Sequence, residues 1–469
     1  MSKRVLISAV AMSLMAFGIS GTSYAETLSD AIAMAYANNP TLARARALQR
    51  GQDESYVQAR SQLGPNVGFG FDKTYHDHDQ SFAAGNQRST QGLSFSASQN
   101  LFATGGLSSQ IDAAKSGVLA GQQDLRSIEQ QVLLNVIDIY TSVRRDQEAL
   151  QISQDNYNIL KQQLDQTTAQ FEAGQLTRTD VAQSQARLSA SAAGLAQAQA
   201  RLDSDRATYV AIVGQAPTAL EPVPEIPGLP ATFNAALDTA QTNNPDLQAA
   251  SFAADAAASR VKAARSAFGP RVALSVSSAQ SGLSGQLGSF EDEQQTTAGL
   301  RVTVPLFSAG LNGSRVREAM ENETAAKLTV EETRRTVVST VSQAWSNMIA
   351  ARSAVVSNQE QVRAAAVAAE GVKTEQQVGL RTNIEVLNAE QEYRAAQLDL
   401  VNAQRNAYVA AAQLVSVTGN LTPTLFGASV ELYDPNANFK KVRNKGWTPI
   451  EPVVQTVDGA AARFLPDGK

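Results

Sequence analysis

The residue types that carry most enzyme chemistry are nearly missing from this chain. Its 469 residues include no cysteine and only two histidines. Both histidines fall in one short segment, His76-Asp77-His78-Asp79. Two imidazoles and two carboxylates so close together could hold a metal ion. They lie in a polar stretch between two alternating segments and are read as a hydrated loop, so no metal site is assigned. No Gly-rich phosphate loop or nucleophile elbow is present. The sequence therefore points to no catalytic site, no cofactor and a non-enzymatic role. What remains is charge pairing. Thr179-Asp180 and Arg381 stand just beyond two matched Gly-containing turns. A guanidinium there can make charge-assisted bonds to a carboxylate and a hydroxyl on a neighbouring hairpin. Glu385 and Asn388, three apart, share one helix face.

The elements that must position these groups are written twice. At a constant shift of 205 positions, Asn38-Asn39-Pro40 falls on Asn243-Asn244-Pro245, and Gly64-Pro65 on Gly269-Pro270. Leu101-Phe102 falls on Leu306-Phe307, Gly105 on Gly310, Tyr140 on Trp345, Gly174 on Gly379 and Gly214 on Gly419. An internal repeat of this kind governs the whole reading of the fold. A Pro-rich linker, 216–232, separates repeats spanning 26–215 and 233–419; such a segment is extended and semi-rigid. Residues 1–25 read as a secretory signal: Lys3 and Arg4, an apolar run from Val5 to Ile19, and small residues at Ser23 and Ala25. The tail, 420–469, has scattered prolines and no sustained period. It is expected to be irregular and to wrap the rest loosely.

Each repeat predicts two short helices, two strands and a long helical hairpin. The strands are placed at about 66–75 and 92–100, and at about 271–281 and 296–305. In the first, Val67, Phe69 and Phe71 alternate with Asn66, Gly68 and Gly70. Strands of roughly 10 residues, apolar on one face, can cross a bilayer when tilted. The hairpins are placed at about 107–213 and 312–418. Val136, Val143, Leu150, Tyr157 and Leu164 recur every seven residues, as do Val181, Leu188, Leu195 and Leu202. A seven-residue period implies left-handed coiled coils. Ile111, Val118, Leu125, Val132 and Ile139 form a second, offset stripe on the first long helix, and two stripes imply neighbours on two sides. The mature chain has no apolar run of transmembrane-helix length, so any membrane crossing must use a closed barrel. Four strands are too few to close one around a pore, so the chain must associate with copies of itself. A net charge of −5 argues against nucleic-acid binding.

With the duplication, the Leu-Phe-x-x-Gly junctions at Leu101 and Leu306, and the tips Ala173-Gly174-Gln175-Leu176-Thr177 and Val378-Gly379-Leu380-Arg381-Thr382, the sequence resembles the TolC family of outer-membrane channels. The fold class is mainly α with a membrane β segment. The resemblance implies a homotrimer in which four strands per protomer build a 12-stranded barrel in outer-membrane lipid, above a helical barrel that crosses the periplasm. It implies docking to a periplasmic adaptor and to an inner-membrane ABC or RND transporter, with the tips as the docking surface. It also implies that Thr179, Asp180 and Arg381 hold the periplasmic entrance shut. Gln376 stands where the family's best-known member has a Tyr in this link, which would weaken part of the lock. Glu385 and Asn388 match two acidic positions of the entrance selectivity ring; Asn388 departs from that pattern. Two other readings share the coiled coils and the signal: a soluble periplasmic scaffold, and an adaptor. An adaptor would flank one hairpin with barrel or lipoyl-like segments, whereas this chain carries two equivalent hairpins.

Overall fold

The computed structural model describes residues 25–76, 88–284 and 293–462. The signal segment and most of the His76–Asp79 loop lie outside these residues.

Each repeat opens with two short helices. The first repeat has α1 (Leu28–Asn38) and α2 (Pro40–Ser61); the second has α5 (Phe233–Asn243) and α6 (Pro245–Arg265). Asn-Asn-Pro works the same way at both junctions. Asn39 and Asn244 take extended backbone and cap the next helix, whose first residue is the proline. Proline is tolerated there because that N–H has no intrahelical partner. The two Asn amides also reach across to the hairpin ends, Asn39 Nδ2 to the Ile212 carbonyl (2.9 Å) and Asn244 Nδ2 to that of Val417 (3.0 Å).

Four strands follow: β1 (Asn66–His76), β2 (Arg88–Phe102), β3 (Arg271–Ser284) and β4 (Glu293–Thr303). They form one antiparallel sheet in the order β1-β2-β3-β4. Phe69 pairs with Phe95, Ala97 with Val276, and Leu274 with Leu300. Since side chains alternate along each strand, these residues share the apolar face, and Ser94, Ser96, Ser98, Ser275 and Ser277 occupy the other. The apolar face is bare: Phe69 is 73% exposed and Leu300 62%. Within the protomer β1 and β4 each leave one edge unpaired. A water-soluble scaffold would not display large apolar side chains on open strands.

Two helices of 67 residues, α3 (Gly106–Glu172) and α7 (Leu311–Gln377), run away from the sheet. At 1.5 Å per residue each is about 100 Å long. The return helices α4 (Arg178–Val213) and α8 (Asn383–Val417) are about half that length. The remaining length of α3 is covered by α2, and that of α7 by α6. On its other side α3 packs against α6 and α8, as two apolar stripes require. The α7 helix has no such second neighbour in the protomer and leaves Ile349, Val356 and Val367 exposed.

The core lies midway down the shaft, where Val136, Tyr140, Val143, Tyr209 and Leu414 are fully buried. Tyr140 donates to the Glu26 and Glu221 carbonyls (2.8 and 2.9 Å), and Tyr209 to the Glu26 carboxylate (2.6 Å). These bonds and a parallel bridge between Glu26 and Leu220 pin the Pro-rich linker to the shaft.

The tail differs from its expected irregular form. It has a 3-10 turn (Pro423–Phe426) and helices α9 (Pro435–Val442) and α10 (Glu451–Ala462). The α9 helix packs on α2, and α10 on α3 and β2. Much of the attachment is polar, which hydrophobic periodicity does not register. Arg60 pairs with buried Glu451 (2.6 Å), Asn438 donates to Asp53 (2.7 Å), and Asp458 is fully buried.

Candidate functional site

The hairpin tips lie at the end of the shaft opposite the sheet. Both turns are built alike. After α3, the Gly174 N–H donates to the Phe171 carbonyl and the Gln175 N–H to that of Gln170 (both 2.9 Å). After α7, the Gly379 N–H donates to the Gln376 carbonyl (3.0 Å) and the Leu380 N–H to that of Glu375 (2.9 Å). Both glycines have positive φ, 77° and 81°, which explains the residue type without any close neighbour. Ala173, Gln175, Val378 and Leu380 are exposed and Leu176 is half-buried. Leu380, at 75% exposed, and Val378 make an apolar knob at the second tip.

The return helices start with capping boxes, and these absorb two of the charged residues singled out from sequence. Asp180 accepts from the Thr177 N–H (3.0 Å) and hydroxyl (2.7 Å). Those bonds hold its carboxyl below the usual carboxylate range. Glu385 accepts from the Thr382 N–H and hydroxyl (both 2.8 Å). The Thr382 bonds first, then the adjacent Arg381, lower its pKa to about 2. Arg381 bridges Glu375 (2.7 Å) and Glu385 (3.0 Å) across its own turn, and the two carboxylates raise its pKa. Within the protomer, then, Arg381 is not joined to Thr179 or Asp180. Thr179 is exposed and Gln376 half-buried.

Asn388 does connect the two hairpins, to a partner the sequence reading did not single out. Arg187 on α4 donates to the Asn388 side-chain carbonyl (2.8 Å) and also to Gln391 on α8. One turn nearer the tip lies a buried polar cluster. Gln163 on α3 donates to Asn383 Oδ1 (2.8 Å), Asn383 Nδ2 donates to Ser184 on α4 (3.0 Å), and Ser184 meets Thr167 (3.4 Å). Asn383, Ser184 and Thr167 are all buried. The cluster joins α3, α4 and α8, so it fixes the first hairpin against the return helix of the second. The signal for this cluster is a seven-residue stripe of small polar residues, Ser184 and Ser191, both buried on α4; an apolar heptad pattern does not contain it.

Among the described residues, no group of three or more His, Cys, Asp or Glu side chains is placed to hold a metal. Nor is any helix among the described residues long and apolar enough to cross a membrane. The chemistry of this end is hydrogen bonding between helices and ion pairing across the second turn.

Known proteins share this architecture. The family model described as outer membrane efflux protein matches residues 31–215 and 236–420, one stretch per repeat. The outer membrane efflux protein BepC of Brucella suis is 31% identical over 90% of this chain and 91% of its own. The outer membrane protein TolC of Escherichia coli is 27% identical over 89% and 87%. The Campylobacter jejuni CmeC outer membrane channel superposes with a TM-score of 0.75 over 90% of each chain, at 17% identity. With both repeats matched and nine-tenths of the chain aligned to BepC, the chain belongs to the outer membrane efflux protein family, as a TolC-type export channel whose sheet lies in the outer membrane and whose helical shaft lies in the periplasm.

Proposed function

We propose that this chain forms, as a homotrimer, the gated exit duct of a tripartite export system. Three sheets of four strands give a closed barrel, and three sets of long helices give the shaft beneath it. The observation that carries this reading is the bare apolar face of a sheet with two unpaired edges. Lipid tolerates such a sheet only when its edges are closed. The exposed stripe Ile349, Val356 and Val367 on α7 supplies a face for a neighbouring protomer.

The duct is passive and takes its energy from an inner-membrane ABC or RND transporter reached through a periplasmic adaptor. The adaptor docks at Ala173, Gly174, Gln175, Leu176 and Thr177 and at Val378, Gly379 and Leu380. The periplasmic entrance is set by contacts between hairpins. Asn388 acts here by accepting from Arg187. Arg381, Thr179, Asp180 and Gln376 face the neighbouring protomer's tips at the closed entrance. Glu385, ionised through the whole physiological range, gives the ring its preference for cations. The cargo is a secreted protein, a drug or both.

Reconstitution of the mature chain in planar lipid membranes tests this function. Small, cation-preferring conductance steps are expected, rising when the tip contacts are removed. A chain that stays water-soluble and never conducts contradicts it.

A further inference from the structure

Residues 440–457 of the tail present a surface that shaft packing does not explain. Residues 440–450 read Lys-Lys-Val-Arg-Asn-Lys-Gly-Trp-Thr-Pro-Ile, with four basic residues and no acidic one. Lys440, Lys441, Arg443 and Lys445 are all exposed. Among the described residues, the only acidic partner of any of them is Asp434, 3.8 Å from Lys440. Trp447 follows, 54% exposed, then Ile450 just before α10, and Val453 and Val457 on one face of that helix, all exposed. The adjoining face of α10, about 100° around the helix, holds it to the shaft through Val454 and Asp458, both buried. The outward apolar face is therefore not left over from poor docking. The helix is firmly held and still presents it.

Its position is at the shaft end of the sheet. Leu101, at the irregularity near the end of β2, packs against the cluster that holds Val454. Beside it a cleft of about 550 Å³ is lined by Pro65, Ala97, Leu274 and Val276 and by Pro449 and Ile450 of the tail. Ala97, Leu274 and Val276 belong to the bare face that meets lipid, so the cleft is continuous with that face. Its other wall is the tail. Apolar side chains, an aromatic at the boundary and a run of basic residues just beyond form the sequence of chemistries met on crossing from acyl chains to anionic headgroups.

We infer that residues 440–457 seat the channel on the periplasmic leaflet of the outer membrane by binding anionic phospholipid. Lys440, Lys441, Arg443 and Lys445 meet headgroup phosphates, Trp447 lies at the interface, and an acyl chain enters the cleft beneath Ile450. The arrangement fixes the height and tilt of the shaft, because α10 is tied directly to the junction between β2 and α3.

Two measurements on the full channel test this. Trp345→Phe leaves Trp447 as the single tryptophan. The protein is reconstituted in vesicles of phosphatidylglycerol and phosphatidylethanolamine brominated either near the headgroup or near the acyl end. Strong quenching of Trp447 by the headgroup-side bromines, and weak quenching by the others, is expected. Quenching by neither, whether water or a neighbouring protomer covers the indole, overturns the inference. Second, the variant Lys440→Gln/Lys441→Gln/Arg443→Gln/Lys445→Gln is extracted in mild detergent and its retained phosphatidylglycerol measured by mass spectrometry. A fall of at least about fivefold is expected from four lost surface charges, with conductance unchanged. Retention equal to the parent overturns it. Loss of conductance with retained lipid also overturns it, since the charges then serve the channel and not the bilayer.

Discussion

Asp458, near the end of the described chain, accepts a hydrogen bond from the backbone N–H of Gly105, 3.0 Å away, at the residue that caps the longest helix of the first repeat. The same carboxylate takes the Ala103 N–H (2.8 Å) and the Ser108 N–H and hydroxyl (both 3.0 Å). Gly105 itself has left-handed backbone and no side chain to cap α3. A residue some 350 positions away therefore supplies the anion that a helix N-terminus favours. In the second repeat, Gly310 opens α7 in the same left-handed conformation, and Leu306 and Phe307 before it are almost fully exposed. The tail thus breaks the equivalence of the two repeats at the base of the barrel.

Replacing Asp458 should unfasten the tail without touching the tips. Asp458→Ala leaves three backbone N–H groups of the junction without a partner in the protein. It is expected to cost about 1–3 kcal/mol. The channel should lose its oligomeric form in SDS at a lower temperature than the parent, with unaltered single-channel conductance.

The polar cluster near the tips makes a different prediction. Asn383→Ala removes both the acceptor for Gln163 and the donor to Ser184. Leaving buried polar groups unpaired costs about 1–3 kcal/mol, and that cost falls on the attachment of one hairpin to the other. Single-channel conductance should rise, with the sheet and oligomeric state intact. An increase from Asn383→Ala but none from a surface control such as Gln185→Ala would locate the effect.

Arg187 and Asn388 should act as one unit. Each single alanine substitution is expected to raise conductance, and the double variant should add little to the larger single effect. Fully additive increases in a double-mutant cycle would separate the two residues and leave Asn388 without the role given it here.

The pH response follows from Glu385. Its folded pKa, about 2, lies below the ordinary value of 4.5 because the Thr382 bonds and then Arg381 favour the ionised form. A carboxylate depressed in this way contributes stability present above 4.5 and lost as pH falls through about 2. The tip contacts should therefore be unchanged from pH 7 to about 5, weaken as pH falls below 4.5 and lose this contribution by about 2. Conductance measured against pH should be flat over the upper range and rise at the acid end. In Glu385→Gln the acid rise from this group should vanish, and cation preference should fall.

How much of this was legible in the sequence depends on the kind of signal each part leaves. The duplication was legible because Asn-Asn-Pro and Gly-Pro each have a local backbone task, capping or ending a helix, that admits few substitutes. The strands were legible because Phe69, Phe71 and Phe95 alternate with small or polar residues, and the structure extends β2 to Arg88–Phe102, beyond the expected 92–100. The tail was not legible. Its helices of 8 and 12 residues are too short to show a seven-residue period, and Asp458, Glu451 and Asn438 bind through polar groups whose partners are hundreds of residues away. At the tips, charge type and spacing led to Asp180, Arg381 and Glu385. The Thr177-x-x-Asp180 and Thr382-x-x-Glu385 spacings are capping-box signatures and did carry the signal that local capping would engage both carboxylates; nothing in the sequence showed that Arg187 would reach Asn388.

The most direct test of the central claim is the mass of the mature chain extracted from outer membranes in mild detergent, measured by native mass spectrometry. The account predicts three chains in one particle, their sheets closed edge to edge. A folded, single-chain particle would contradict it, since β1 and β4 would then each keep an open edge that lipid does not tolerate.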